Sequence, residues 1–482
     1  MTDRYDAAII GAGADGLTAA ALLARAGLRV IVIERQKQPG GLLATRQFHP
    51  GFFATPFADD IAPVEDELFW SLDLAQHGAW MMPSGPAMAL WPDKTLPADC
   101  HPQLSDAVRA RRVAALARAK LPAPPPSRWN PLARQSDPAW PVESWSHRPL
   151  ADLASDVAAS DEQAALLVAG ALEGHAADPL ATGSSLHLLA GPAGGVWRGA
   201  LGGLGDAFAA AAREAGAEIA CGQEVSDIRC HKGRVSSVGH ADGSEIAARA
   251  VISTLDLKRT FLSLFAWSEL PKPAVSRIAN FRTAGSTARL LVALGERPDG
   301  LPRGALHVMP ELRAMIAAHA AWRAGIVAER LPITLRFCSA SDPSLAPIGA
   351  AAMTATIGCV PFTPFDGVWT HEKRDLLAKR VLGAIEDVLS GIRTSILGYE
   401  LLVPPDMEEA LSATAGDLSG GEIAPDQMFA FRPGFARGAP HTPVDGLYLA
   451  GPSTAAGPLA TGTSGAIAAQ ALLADLRAGR LP

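Results

Sequence analysis

Asp6-Ala-Ala-Ile-Ile10 is a short apolar run that stops at Gly11-Ala-Gly-Ala-Asp-Gly16. An Ala/Leu-rich stretch, Leu17 to Ala26, follows with helical composition and ends at Gly27. Arg29-Val-Ile-Val-Ile-Glu34 then reads as a second strand. Strand, G-x-G-x-x-G turn, helix and strand together make a βαβ unit that binds a dinucleotide, a context the six-residue pattern needs to carry meaning. Gly11 allows the tight turn, Gly13 lets the backbone approach a pyrophosphate, and Gly16 lets helix and strand pack closely. The helix N-terminus offers free N–H groups and the positive end of its dipole to the phosphates. Glu34 closes the second strand about 20 residues after the turn, where a carboxylate can accept hydrogen bonds from a ribose.

The rest of the composition narrows the class. At 482 residues the chain is too long for one simple core and predicts two or three lobes. A net charge of −7 gives no general attraction to nucleic acid. Cys100, Cys221, Cys230, Cys338 and Cys359 are odd in number, scattered and without a C-x-x-C pair, which argues for a reducing compartment rather than a disulfide framework. No Cys/His spacing suggests a metal site. Met1-Thr-Asp-Arg4 runs straight into the first strand, and no window supplies the ~20 uninterrupted apolar residues of a membrane span. The expectation is a cytoplasmic protein with scope for peripheral membrane contact.

Further along, Pro39-Gly-Gly41 is a second glycine pair that a simple NAD domain does not need. It suits a flavin adenine dinucleotide enzyme, whose chain passes close to the pyrophosphate. Trp80-Met-Met82 and Ala87 to Trp91 alternate in strand fashion and are expected to fill a core sheet. Ser105 to Lys120 and Leu150 to Glu173 read as helices, with a Pro/Trp-rich excursion over 121–149 between them. Gly191 to Gly205 is glycine-rich, Asp206 to Ala215 reads as a helix, and Ala217 to Ala220 and Val225 to Arg229 read as strands. Gly233 to Gly243 reads as a hairpin, leading into Glu245 to Thr254. Ala288 to Leu294 is a strand of a later region that shows no chemical motif. Near the end, Gly446-Leu-Tyr-Leu-Ala-Gly451 is a strand entering a loop, and Thr461-Gly-Thr-Ser-Gly465 opens a final helix. The N-terminus of that helix can face the N1/O2 edge of an isoalloxazine, where its dipole favours the charge of reduced flavin.

These blocks resemble the phytoene desaturase-like flavoproteins of the amine oxidase superfamily, in the branch of pyridine nucleotide-disulfide oxidoreductase domain-containing protein 2. The resemblance rests on Gly11 to Gly16, Glu34-Arg35, Gly40-Gly41, Pro50-Gly51-Phe52, Leu72 to Gly78, Gly202 to Gly205, Ala215 to Ile219, Ser419 to Gly421 with Asp426-Gln427, and Gly446 to Gly451. It implies an α/β fold: a discontinuous Rossmann-like, glutathione-reductase-type FAD-binding domain with an α+β substrate domain. The implied division is 1–75, 196–260 and 411–482 for the FAD domain, 76–195 for a cap region and 261–410 for the substrate domain. The implied cofactor is non-covalent FAD. The positions matched to it are Gly11, Gly13, Ala14, Asp15, Gly16, Glu34, Arg35, Gly40, Gly41, Leu42, Val225 (at the adenine), Gly451, Pro452, Thr461 and Gly462. One departure stands out: after the last strand the family pattern has His-Pro where this chain has Ala455-Ala456.

The expected activity is transfer of hydride from an apolar or amphipathic small molecule, isoprenoid-like by resemblance, to flavin, with oxygen or a quinone as acceptor. Flavin supplies the hard chemistry, so the pattern names no obligatory acid–base pair. His175, His187, Arg282 and Arg432 are the candidates, each also readable as structural. An amine oxidase is the alternative. It calls for an aromatic cage, which a chain with 6% aromatic residues and no paired Tyr/Trp in its tail does not announce. A flavin-binding protein with lost catalysis, acting as an interaction partner, is the third reading.

Overall fold

The computed structural model describes residues 4–97, 102–120, 147–191, 195–265, 270–298, 300, 303–433 and 440–481. Cys100 and most of the 121–149 excursion lie outside these residues.

The first sheet is built around β1 (Tyr5–Ile10), whose last four residues are fully enclosed. It is followed by α1 (Ala14–Arg25) and β2 (Val30–Glu34). β1 pairs in parallel with β2 on one side and with Glu245–Ser253 on the other. Glu218–Cys221 extends the sheet beyond β2, and Leu447–Leu449 pairs in parallel with Glu245–Ser253. Strands from three distant stretches thus share one parallel sheet, the arrangement in which apolar runs are covered by helices on both faces. Val225–His231 and Arg234–His240 add an antiparallel ribbon at the edge. The stretch read as a hairpin over 233–243 is therefore one strand between two turns.

The fit of α1 against β1 depends on Gly16. A Cβ there would lie 2.0 Å from the carbonyl oxygen of Gly11 and 3.3 Å from Ile9 Cγ2. Across the same helix, the C-terminal helix Thr463–Arg477 packs with α1, joined by a bond from the Gly465 N–H to Asp15 Oδ1 (3.2 Å). The apolar core on this face includes Leu17, Leu23, Leu204, Phe208, Ala468 and Leu472.

Two readings of the sequence change here. The helix expected from Asp206 already begins at Leu201, inside the glycine-rich stretch, and runs Leu201–Glu214. Gly202 lies inside it because a Cβ would sit 2.5 Å from Thr45 Oγ1, so these glycines serve close packing against the Gly40–Thr45 turn. Leu150 to Glu173 is two helices, Leu150–Val157 and Asp161–Ala171. The second is started by Ser160, whose hydroxyl accepts from the Gln163 N–H.

The second sheet is mixed and runs in the order 396–402, 288–294, 351–357, 333–336, 306–308, 88–90, 95–97. Its central strands Ala288–Leu294 and Ala351–Ile357 are buried throughout. Met88–Leu90 joins it in parallel with Leu306–Val308. Ala89 and Leu90 fill its core as expected, but Trp80 (58% exposed) and Met81 (62% exposed) do not. Met81–Met82 pairs with Val196–Trp197 in a two-stranded ribbon, in which Trp197 is buried in the core of the first sheet while Met81 points to solvent.

Candidate active site

A deep cleft runs along the carboxyl edge of the first sheet and ends against the second. Its walls come from the Gly11 turn, the end of β2, the Gly40–Leu43 turn, Val225, Thr254 to Asp256, Ala410 to Ala413, and the loop after Gly451. The far end is closed by Phe57 to Ala62, Glu173 to His175, Thr287, Thr356 and Asp417 to Ser419.

Among the residues expected to bind the cofactor, Gly11, Gly13, Ala14, Asp15, Glu34, Arg35, Gly40, Gly41, Leu42, Val225, Gly451, Pro452 and Thr461 all line this cleft. Gly16 and Gly462 stand behind it. Gly16 seats α1 on the sheet, and Gly462, at φ +81°, precedes the first turn of the C-terminal helix against Leu68 and Thr18.

Several of these side chains are already engaged. Glu34, mostly buried, accepts from the Ala12 N–H through Oε2 and the Gln36 N–H through Oε1, each at 2.8 Å. Each oxygen keeps a second lone pair that a hydroxyl can use. The Arg35 guanidinium reaches across the cleft to the carbonyls of Ala410 (2.8 Å) and Glu409, at the C-terminal end of helix Pro404–Leu411. This is where a cation complements exposed carbonyls. Burial raises the Asp15 carboxyl, against hydrogen bonds from Ser464 and the first turn of the C-terminal helix. Its oxygens therefore cap a helix rather than meet a ligand directly. Thr461 donates to Ala62 O at 2.7 Å.

The donor set fits a dinucleotide. No side chain caps α1 at Gly13, so its first N–H groups are left free. The space in front of Gly13 is open, with no heavy atom within 4 Å of where a Cβ would stand. Gly41 brings a second stretch of backbone to this point, its would-be Cβ lying 3.3 Å from Gly13 Cα.

The far end holds a buried charge network that the sequence did not announce. Arg289, fully buried, donates from Nη1 to Asp59 Oδ2 (2.7 Å) and to Thr356, and from Nε to Pro56 O (3.3 Å). Arg336 pairs with both oxygens of Glu173 and lies 3.7 Å from Asp60. Burial alone would raise the Asp59 carboxyl, but the Arg289 and Arg336 guanidiniums and the Thr354 hydroxyl hold it below the ordinary carboxylate range. The one available signal was Asp59-Asp60 inside an otherwise apolar stretch; Arg289 and Arg336 come from strands 230 and more residues away.

The four acid–base candidates separate. Arg432 is buried and donates to the carbonyls of Pro452 (2.9 Å), Gly421, Glu422 and Ser419, which pins the Gly451 loop. Arg282 is half-exposed and paired with Glu422 and Asp426 outside the cleft. His187 is buried behind His175, their rings edge-on at 5.2 Å. His175 lines the far end, and burial lowers its imidazole to about 4, with Glu173 opposing and Arg432 adding to the shift.

A parallel sheet with a glycine turn at its carboxyl edge, facing a second sheet across the cleft, is the architecture of a dinucleotide-binding α/β protein. The chain belongs to the FAD dependent oxidoreductase (DAO) family, whose model matches residues 6–368, and its cofactor is FAD. It is 26% identical to the pyridine nucleotide-disulfide oxidoreductase domain-containing protein 2 of Mus musculus, over 99% of this chain and 94% of that protein. Phytoene desaturase (lycopene-forming) of Pseudescherichia vulneris is 25% identical over 58% of this chain and 56% of its own length. In three dimensions the chain resembles cyclohexylamine oxidase from Brevibacterium oxydans, with a TM-score of 0.62 and 16% identity over 98% of this chain and all of that one, a likeness of fold. Among the described residues, no helix is long and apolar enough to cross a membrane.

Proposed function

We propose that this oxidoreductase withdraws hydride from an apolar or amphipathic, isoprenoid-like small molecule. The observation that carries this reading is a lateral cavity of ≈1260 Å³ that shares Asp60 and Glu173 with the cofactor cleft. Leu104, Val108, Leu116, Leu166, Leu167 and Leu188 contribute its apolar wall. Such a wall takes an apolar donor out of water at about 25 cal/mol per Å² of buried surface. When bound, FAD supplies the two-electron acceptance. In this reading the free N–H groups at Gly13 to Asp15 and the turn at Gly40 to Leu42 hold its pyrophosphate. Glu34 takes the ribose, Val225 the adenine, and Gly451, Pro452 and Thr461 the flavin end. The C-terminal helix directs its N-terminus to the same end. The division of the chain at 75, 195, 260 and 410 is proposed with it, as are oxygen or a quinone as acceptor.

The amine oxidase reading finds less support. Phe57 is the only Phe, Tyr or Trp among the described residues lining the cleft, so no aromatic pair faces the far end. Anaerobic titration of the FAD-loaded protein tests the choice. Phytoene or limonene should bleach the visible flavin band while cyclohexylamine and putrescine do not. Bleaching by the amines alone would overturn the proposal.

A further inference from the structure

The far end of the cleft carries five titratable side chains among the described residues, and four are committed. Asp59 accepts from Arg289 (2.7 Å) and Thr354 (2.8 Å). Asp60 faces Arg336 at 3.7 Å, and Glu173 grips both arms of the same guanidinium. Asp417 accepts from the N–H groups of Ala284 (3.1 Å) and Ser419 (2.9 Å). His175 differs. Its Nδ1 lies 3.0 Å from the carbonyl oxygen of Glu173. A carbonyl only accepts, so Nδ1 carries the proton and Nε2 the lone pair. Nε2 has no hydrogen-bond partner among the described residues. The ring lines both the cleft and a second, more polar cavity of ≈450 Å³ that His187 also lines.

We infer that His175 is the catalytic base of donor oxidation: Nε2 takes the donor's proton as hydride leaves for FAD, and then releases it to water. The inference rests on the donor reading above. The balance closes. The donor loses a proton to Nε2 and an adjacent C–H with its electron pair to FAD, and a double bond forms between the two atoms. Nε2 returns to the neutral imidazole by giving its proton to water, and on reoxidation the acceptor receives that electron pair with its hydrogen, and a proton from water, leaving FAD. The groups acting on the ring are Glu173 and Arg432 electrostatically, His187 through its edge-on ring, and Asp417 across the shared wall. Burial dominates and keeps the imidazole uncharged, which is the form that can accept.

Two measurements on the FAD-loaded protein test this, the first without any donor. Diethyl pyrocarbonate acylates uncharged imidazole, and peptide mapping reads the product at His175. Between pH 8 and pH 5 the His175 rate should fall less than twofold, while N-acetylhistidine, with an ordinary value near 6.5, falls about 30-fold. A parallel fall at His175, or no acylation there, overturns the inference. Next, H175N retains an amide N–H for the Glu173 carbonyl but removes Nε2. Its anaerobic bleaching by phytoene should be about 100-fold slower than wild type and partly restored by imidazole, with FAD content, reduction potential and the rate at which 1,4-benzoquinone reoxidises the photoreduced protein unchanged. A bleaching rate within twofold of wild type overturns it. Failure of every apolar donor to bleach the flavin would instead overturn the substrate class, so the two failures are distinguishable.

Discussion

Replacing Gly13 and Gly16 separately by alanine should have opposite consequences, although the two sit three residues apart on one turn. At Gly16 the new methyl would begin 2.0 Å from the Gly11 carbonyl oxygen. Real contacts keep at least 3.0 Å, so α1 must back away from β1 by about 1 Å. Neither neighbour is a flexible side chain, so overpacking of about 2–3 kcal/mol is expected. That loss appears in the apoprotein, and FAD affinity falls with it as the phosphate-facing N–H groups shift. At Gly13 nothing stands within 4 Å, and φ −76°, ψ 177° suits alanine. The apoprotein should be as stable as wild type, or gain about 0.5 kcal/mol from a stiffer unfolded chain. Its methyl nevertheless stands where the pyrophosphate would lie. Displacing that group by two tenfold steps in affinity corresponds to about 2.8 kcal/mol. Urea unfolding of both apoproteins and titration by quenching of FAD fluorescence separate the effects. Wild-type FAD affinity in G13A would refute placement of the phosphates at α1, and an apo-G16A as stable as wild type would refute the rigid contact.

E34A should weaken FAD retention and also destabilise the apoprotein by about 2–4 kcal/mol, because the Ala12 and Gln36 N–H groups lose charged acceptors; unchanged apo unfolding would reduce Glu34 to a ribose ligand. D59N should cost about 3–5 kcal/mol in thermal or urea unfolding by leaving Arg289 buried without its anion, and retention of wild-type stability would contradict that pairing. Asp59 is held below the ordinary range, so its contribution is complete above about pH 4 and is lost as pH falls through the lowered folded value; the acid limb of a pH–stability profile should flatten in D59N. Acid precipitation of purified protein should leave a yellow supernatant, whereas colour retained in the pellet would mean a covalent flavin.

The cofactor half of the fold was legible because its signals are local. The βαβ unit, the Gly40-Gly41 turn and the returning strands Glu245–Ser253 and Leu447–Leu449 each declare themselves within a few residues. The start of helix Leu201–Glu214 was placed too late because the reason for its glycines is packing: Gly202 and Gly205 press on Thr45 and Leu43, some 160 residues away in the chain. The far end of the cleft was not legible for the same reason. Asp59, Glu173, Arg289 and Arg336 look like ordinary charges until two sheets bring them together. His175 was visible as a candidate, but its tautomer depends on the Glu173 carbonyl two residues away, which composition cannot reveal.

The contact between Asp15 and Gly465 bears on how the enzyme is made. A Cβ at Gly465 would stand 1.9 Å from Asp15 O, so the last helix is seated directly on the turn that begins the nucleotide site. Synthesis proceeds from the N-terminus at about 5–20 residues per second. The glycine turn therefore leaves the ribosome about 20–90 s before the helix that packs on it. Until then the first sheet also lacks Leu447–Leu449, and α1 has an uncovered apolar face. A chain interrupted before residue 463 leaves the Asp15 carboxylate and that apolar face without their partners.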